Sequence, residues 1–439
     1  MVRHRANHRS HGVRHAGGMR TQAAATRRDR SQPVFHGRHV VRAAFVLAMC
    51  GWGIGFYGPP IYLHAVIART GWPLEWVSAA VTVHFVFGAL VVARLPRWHA
   101  RFGVGPCAVA GAVASTLGVL GWAWCGQPWQ LFVAALASGG GWVAMGAVAV
   151  NAAIAPWFVR TRPAALATAY NGASVGGVLF SPLWVALIGA WGFGPAALAI
   201  GLTTVVVMAG LARWVFARTP QSLGQRPDSD TAPASTAAPA VPALPGRLLW
   251  RDRRFRTLAL GMAIGLFAQI GVLAHLFALL VPLFGAQRAG WAMGLATACA
   301  MAGRVVVAQV MPAAAPRRVV AALGYAVQLL GMLVLCGVGE NQVVPIVLAI
   351  VLFGSGIGNA TSLPPLIAQQ EFAPPDVPRV VALVVATAQG TYAFAPVLFG
   401  ALLQASGAVR VGVGSTAFFA TVALLQAMAL ACFLAGRRG

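Results

Sequence analysis

The sequence predicts an all-α polytopic membrane protein, with twelve transmembrane helices in two pseudo-symmetric six-helix bundles. Three observations carry that expectation. The 439-residue chain is 59% apolar and only 9% charged, whereas a soluble domain is about a quarter charged. Its apolar residues fall in runs, and a bilayer crossing takes about 20 of them, so a dozen crossings account for more than half of the chain. One Pro/Ala-rich stretch, TAPASTAAPAVPALPG, interrupts the runs near the middle and cannot build a core of its own.

In order, the runs cover 42–68, 76–97, 104–124, 129–155, 163–190 and 194–216, then 257–284, 289–312, 318–338, 343–369, 380–404 and 411–435. Charge, Pro or Gly bounds each one. The first holds Pro59-Pro60 and the tenth Pro364-Pro365; both pairs remove backbone donors and are expected to break their helices at depth. Close-set glycines in the fourth, fifth and tenth runs (Gly139-Gly140-Gly141, Gly172 with Gly176, Gly354 with Gly356 and Gly358) read as helix-packing positions. The organisation that follows is a basic, disordered cytoplasmic tail over 1–41, a bundle over 42–217, a cytoplasmic linker over 218–256 and a second bundle over 257–436. The halves echo each other at a six-helix offset. GGGWVAMG, Phe158 and R-x-x-A-L from Arg162 answer to GSGIG, Phe372 and R-x-x-A-L from Arg379. Two repeats with a site at their interface is a transporter plan.

All 32 basic residues are arginine, against 8 acidic ones, for a net charge of +24. Gathered on one face, such a charge would suggest nucleic acid. Instead ten arginines precede residue 43 and most others punctuate the gaps between runs. Cytoplasmic loops carry the excess of Arg, and placing both termini in the cytoplasm puts 28 arginines on that side and three (Arg69, Arg288, Arg410) on the other. The tail has no apolar core or small-residue cleavage site of a signal peptide, and Met19 offers an alternative start. The absence of lysine beside abundant Ala, Gly, Pro and Arg points to a GC-rich bacterial genome, hence to the inner membrane. The six cysteines form no CxxC and flank no His cluster, so they read as apolar fillers. HExxH and paired carboxylates are missing, so neither an enzyme nor a cofactor or metal is expected.

The residues that cost most in a membrane are then few. No acid falls in the middle of a run. Arg304 sits at mid-depth of the eighth, where an arginine costs about 2.5–3.5 kcal/mol on insertion scales. Its planar fork suits bidentate binding of carboxylate or phosphate. With no carboxylate at that depth, the anion is expected to arrive as substrate; the other reading is an arginine held by backbone carbonyls that braces the two halves. His84 and His275 are the central groups that change charge near neutral pH. Each either takes up a proton, bonds the substrate, or is a neutral ring satisfied by a neighbouring helix. Tyr57, Asn151, Tyr170, Asn171, Asn359, Gln389 and Tyr392 are further polar groups at depth, where interhelical hydrogen bonds compete with ligand contact.

Twelve runs, a 6+6 division and a long linker, together with WFVRTRPAALATAYNGASVGG (157–177), GWGIGFYGPPIYL (51–63) and RWHARFG (97–103), resemble the major facilitator superfamily. Within it, the chain resembles the monocarboxylate transporter and oxalate/formate antiporter branches, over residues 40–436. The resemblance implies the twelve-helix fold of that superfamily and places Arg304 where the group carries a span-8 arginine that pairs with the substrate carboxylate. The chain departs from the pattern at Ala100, where the loop motif has Asp, so the usual inter-bundle charge pair is missing. It departs again at Ala300 and Pro60, where animal-type carriers have an Asp and a lysine, and in the eleventh span, which offers Gln389 and Tyr392 in place of a lysine.

The expected function is secondary active transport of a small organic anion, a monocarboxylate, by alternating access. Arg304 would bind the carboxylate. Tyr57, Tyr170, Asn171, Gln389 and Tyr392 would shape the pocket, and His84 or His275 would tune it or couple a proton. The expected partners are that anion, a co-transported proton and membrane lipid, not nucleic acid, and the chain is expected to be a monomer. The rivals are a facilitator or efflux carrier for neutral or hydrophobic compounds, and a non-transporting sensor of the same fold.

Overall fold

The computed structural model describes residues 35–228, 246–312, 315–339, 342–408 and 410–438. The basic tail up to residue 34 and linker residues 229–245 lie outside the described residues. Among the described residues, twelve helices are long and apolar enough to cross a membrane. Spans 1–6 are Gly37–Thr70, Leu74–Val92, Val104–Trp124, Pro128–Ile154, Arg162–Trp191 and Phe193–Phe216. Spans 7–12 are Arg253–Phe284, Ala286–Val310, Arg317–Gly337, Val343–Glu371, Arg379–Ala405 and Thr416–Ala435. Their ends have local causes. The Asp252 carboxylate accepts from the Arg254 amide at 2.6 Å and starts span 7. Arg162 folds back to donate to the Ala155 and Phe158 carbonyls at 2.8 and 3.1 Å, closing the C-terminal end of span 4. Span 12 begins at Thr416 rather than at 411 because Gly412 and Gly414 hold φ of 85° and 68°, a left-handed path that no helix follows.

The interruptions fall only partly where proline places them. Span 1 does break, between Gly55 and Pro59. Span 10 does not: its helix runs unbroken from Val343 to Glu371 through Pro364-Pro365. The Ser362 hydroxyl donates to the Gly358 carbonyl at 3.1 Å beside the pair, the kind of side-chain support that lets a membrane helix tolerate proline. Spans 4 and 11 break instead, after Val143 and after Tyr392.

The two bundles repeat one packing scheme. Span 1 lies on span 5, span 2 on span 4, and span 3 on spans 4 and 6; span 7 lies on span 11, span 8 on span 10, and span 9 on spans 10 and 12. Small residues make these approaches close. A Cβ on Gly172 would collide with the Phe45 carbonyl, and one on Gly303 with the Ser355 carbonyl. Described residues at both ends of the linker are tied to the bundles. At its beginning, Asp228 accepts from the amides of Val159, Arg160 and Thr161 at 2.5, 3.0 and 2.8 Å and from the Thr161 hydroxyl. Partial desolvation opposes the charge of Asp228, but these bonds outweigh it and hold the carboxyl at about 2. Near its end, Leu249 is buried in the core of the second bundle.

The bundles meet on the side away from the termini. Pro182 and Val185 of span 5 face Gly290 of span 8, and Gln287 donates to the Pro182 carbonyl at 3.4 Å. The Val397 amide of span 11 donates to the Thr82 hydroxyl of span 2 at 3.2 Å. His64 of span 1 meets the Phe277 ring of span 7 edge-on at 5.4 Å. Toward the termini, spans 4 and 10 make no comparable contact across the interface among the described residues. The interior between the bundles therefore opens on the face that carries the linker and the chain ends.

Candidate functional site

The deepest inter-bundle contact is the floor of that opening. Gly177 of span 5 lies against Thr297 of span 8 and the Tyr57 ring of span 1, with the Tyr57 hydroxyl beside Thr297. Spans 5 and 8 run in opposite directions from this point. Asn171 precedes Gly177 by six residues and Arg304 follows Thr297 by seven, so at 1.5 Å per residue both lie about 10 Å toward the open end. Arg304 shares the i, i+7 face of Thr297, which points it between the bundles, and it feels the Tyr57 side chain electrostatically. Asn171 shares the i, i+7 face of Val178, which meets Gly294 of span 8. Both side chains are half-buried.

Among the described residues the guanidinium has one hydrogen-bond partner: Nε donates to the Gly358 carbonyl of span 10 at 3.4 Å. That bond stays within the second bundle, so Arg304 does not brace the two halves through it. Beside it, Asn359 donates to the Gly303 carbonyl at 3.4 Å, and its own oxygen has no partner among the described residues. Among the described residues no carboxylate pairs with Arg304.

The first bundle answers with rings. Trp52 meets Trp142 and Tyr170 edge-on at 6.0 and 6.2 Å. Phe56 touches Tyr57 at 5.1 Å and Phe85 at 6.0 Å, and Phe85 reaches Tyr392 of span 11 at 6.2 Å. The wall thus runs from Tyr57, next to Arg304, to Tyr392, with Gln389 beside the Tyr392 hydroxyl. At its edge the Tyr170 hydroxyl accepts from Asn151 at 2.5 Å and donates to the Ala147 carbonyl at 3.2 Å, just past the break in span 4. Trp52, Phe56, Phe85 and Trp142 are not among the sequence candidates. Inside apolar runs an aromatic side chain carries no cost that would mark it out; the i, i+4 spacing of Trp52 and Phe56 ahead of the proline break was the available signal.

The histidines are placed elsewhere. His84 is 1% exposed and lies inside the first bundle. A carbonyl can only accept, so Nε2 donates to Gly55 at 2.8 Å, and Nδ1 accepts from the Ser138 hydroxyl at 2.9 Å. Ser138 in turn accepts from the Trp122 indole at 3.1 Å. Both ring nitrogens of the neutral form are used, which leaves none for a substrate. His275 is fully buried; its Nε2 donates to the Pro396 carbonyl at 2.9 Å, which ties span 7 to span 11 on the closed side. The site therefore gathers Arg304, Tyr57, Tyr170, Asn171, Gln389 and Tyr392, and leaves His84 and His275 in the bundles behind it.

The chain matches the Major Facilitator Superfamily model over residues 40–372. No curated protein matches its sequence. Among solved structures it is similar to the nucleoside transporter NupG, at 10% identity and TM-score 0.70 over 92% of this chain and 99% of that one. It is also similar to a bacterial homolog of the human lysosomal transporter Spinster in an inward-facing and occupied conformation, at 13% identity and TM-score 0.65 over 93% and 98% of the two chains. At these identities the likeness shows the fold.

Proposed function

This chain belongs to the Major Facilitator Superfamily, and from that premise we propose that it is a secondary active transporter moving a small organic anion, a monocarboxylate, by alternating access. The observation that carries the reading is Arg304: a fixed cation at mid-span, facing the inter-bundle interior, with a single long bond to a carbonyl and no carboxylate of its own among the described residues. A lone guanidinium balances one negative charge, which favours a monoanion. Asn171, at the same depth, and Tyr57 supply hydrogen bonds, and the rings from Trp52 to Tyr392 take the apolar part of the molecule. Tyr170 and Gln389 close the edges. His84 and His275 act only through the helices they hold in place.

The arginine asymmetry supports an orientation with both termini in the cytoplasm, in the bacterial inner membrane that the composition suggests. The open end is then inward-facing. Opening to the other side requires the span 5–8, 2–11 and 1–7 contacts to part while the open halves close, the rocking expected of two repeats about a fixed site.

Uptake of a radiolabelled monocarboxylate into proteoliposomes checks this. Wild type is expected to accumulate it and Arg304→Ala to lose uptake; equal uptake by both removes the anion site. A second reading, a carrier of neutral compounds, is favoured by the bond from Arg304 to Gly358, which would make the arginine a clamp between spans 8 and 10. Under that reading a neutral compound is carried equally by wild type and Arg304→Ala.

A further inference from the structure

Between spans 2 and 3 the chain forms a short amphipathic helix, Leu95–Phe102. Leu95, Trp98 and Phe102 recur at i, i+3 and i+7, one helical face, and line the end of a groove of about 550 Å3. The groove continues between spans 2, 3 and 4 past Phe87, Cys107 and Gly140, and side chains along it are apolar throughout. It lies within the first bundle, apart from the opening between bundles, and Leu136 on its wall is exposed, so its mouth faces the hydrocarbon of the bilayer.

Arg94, Arg97 and Arg101 repeat the same spacing one residue earlier and occupy the neighbouring face of the helix. All three are exposed. Arg101 rests over the Phe102 ring at 5.1 Å, and no guanidinium of the three makes an ion pair or hydrogen bond with a described residue. The acid that the resembled loop motif carries is Ala100 here. The described acids on this side are committed elsewhere: Asp228 to loop amides, Asp252 to the start of span 7 and Glu371 to Arg318, while Asp376 is buried at the start of span 11.

An apolar groove that ends on three unpaired guanidiniums matches one kind of molecule. We propose that it binds an anionic phospholipid of the leaflet on the side of the termini, one acyl chain lying in the groove and the phosphate held by Arg94, Arg97 and Arg101. Guanidinium pairs phosphate with forked, charge-assisted bonds, and Trp98 sits at the headgroup boundary where indole rings concentrate. The lipid supplies the negative charge that Ala100 does not.

The full-length protein in detergent, titrated with phosphatidylglycerol or with phosphatidylcholine of the same chains, tests this by native mass spectrometry. Each arginine near an anionic surface is worth roughly a fivefold gain, on the order of a hundredfold for three. Wild type is expected to prefer phosphatidylglycerol by that order, and Arg94→Gln/Arg97→Gln/Arg101→Gln to bind both lipids alike. Ala110→Phe and Ala114→Phe, which narrow the groove, are expected to weaken both. Phosphatidylglycerol with brominated chains is expected to quench Trp98, read as the difference between wild type and Trp98→Phe. Equal affinity for the two lipids in wild type, a preference that survives the triple substitution, or bound lipid that leaves Trp98 unquenched overturns the proposal. Glycerol phosphate, a headgroup without a chain, is expected to leave the melting temperature unchanged; stabilisation equal to that by the lipid would reduce the site to a phosphate site and overturn the groove.

Discussion

Two arginines of the second bundle are surrounded in opposite ways. Arg318, at the start of span 9, is 2% exposed and every arm of its fork is used: Nε and Nη2 bind the Glu371 carboxylate at 2.6 and 2.7 Å. Nη1 reaches the Thr257 hydroxyl at 3.0 Å, and Nη2 also reaches the Arg254 carbonyl at 2.8 Å. Gly436 of the C-terminal end closes over it, at a point where no Cβ fits. Among the described residues Arg304 has one hydrogen bond, of 3.4 Å, and no counter-charge. A charge that serves the fold brings its counter-charge with it; a charge held in readiness for a ligand does not.

The largest test of that contrast is thermodynamic. Removing one partner of a buried pair leaves the other uncompensated, at a cost of about 3–5 kcal/mol; because Glu371 retains 18% exposure, the lower end is expected for Glu371→Gln. Arg304→Gln, which loses one long bond and a mid-membrane charge, is expected to leave stability unchanged or raise it. Denaturation in detergent reads both, and a similar loss in the two variants breaks the contrast.

The next effect belongs to the first bundle. Ser138→Ala strands both the Trp122 donor and the His84 acceptor, and each buried unsatisfied group costs about 1–3 kcal/mol. A lower melting temperature with unchanged substrate affinity is expected. Weaker substrate binding at unchanged stability would instead bring His84 into the site.

The smallest effect lies outside the membrane. Asp228 is held at about 2, below its ordinary value, so the stability it adds is complete above about pH 4 and is lost as pH falls through about 2. Hydrogen exchange at the amides of Val159, Arg160 and Thr161 is expected to show protection at pH 5 that fades toward pH 2, and Asp228→Ala to abolish it at pH 5. Protection at pH 5 in that variant would show that the clasp does not depend on the carboxylate.

Much of the fold was legible because a bilayer imposes simple rules. Twelve runs of sufficient length became twelve spans, and Arg304 stood out because its position carries a cost. What was hidden depends on partners far apart in sequence. His84 looks like a free titratable group until Ser138 and Gly55 close on its two nitrogens. Trp142 and Phe85 look like ordinary apolar residues until helix packing aligns them into a wall with Trp52 and Tyr392. Proline misled at span 10, where Ser362 and the surrounding helices keep the backbone helical, while span 4 breaks without a proline and span 11 breaks just ahead of Pro396. Composition marked 218–256 as a linker, yet one acid, Asp228, is enough to fix its beginning to the loop between spans 4 and 5.

The contrast between the two arginines is tested most directly by ligand-induced stabilisation of wild type and Arg304→Gln against a panel of monocarboxylates and their uncharged amides. A ligand that binds only the folded protein raises its stability by RT ln(1 + [L]/Kd), about 2.7 kcal/mol at a hundredfold excess over Kd. Wild type is expected to be stabilised by at least one carboxylate and not by its amide, and Arg304→Gln by neither. Equal stabilisation of both proteins by the carboxylate, or of wild type by acid and amide alike, would contradict Arg304 as the anion site.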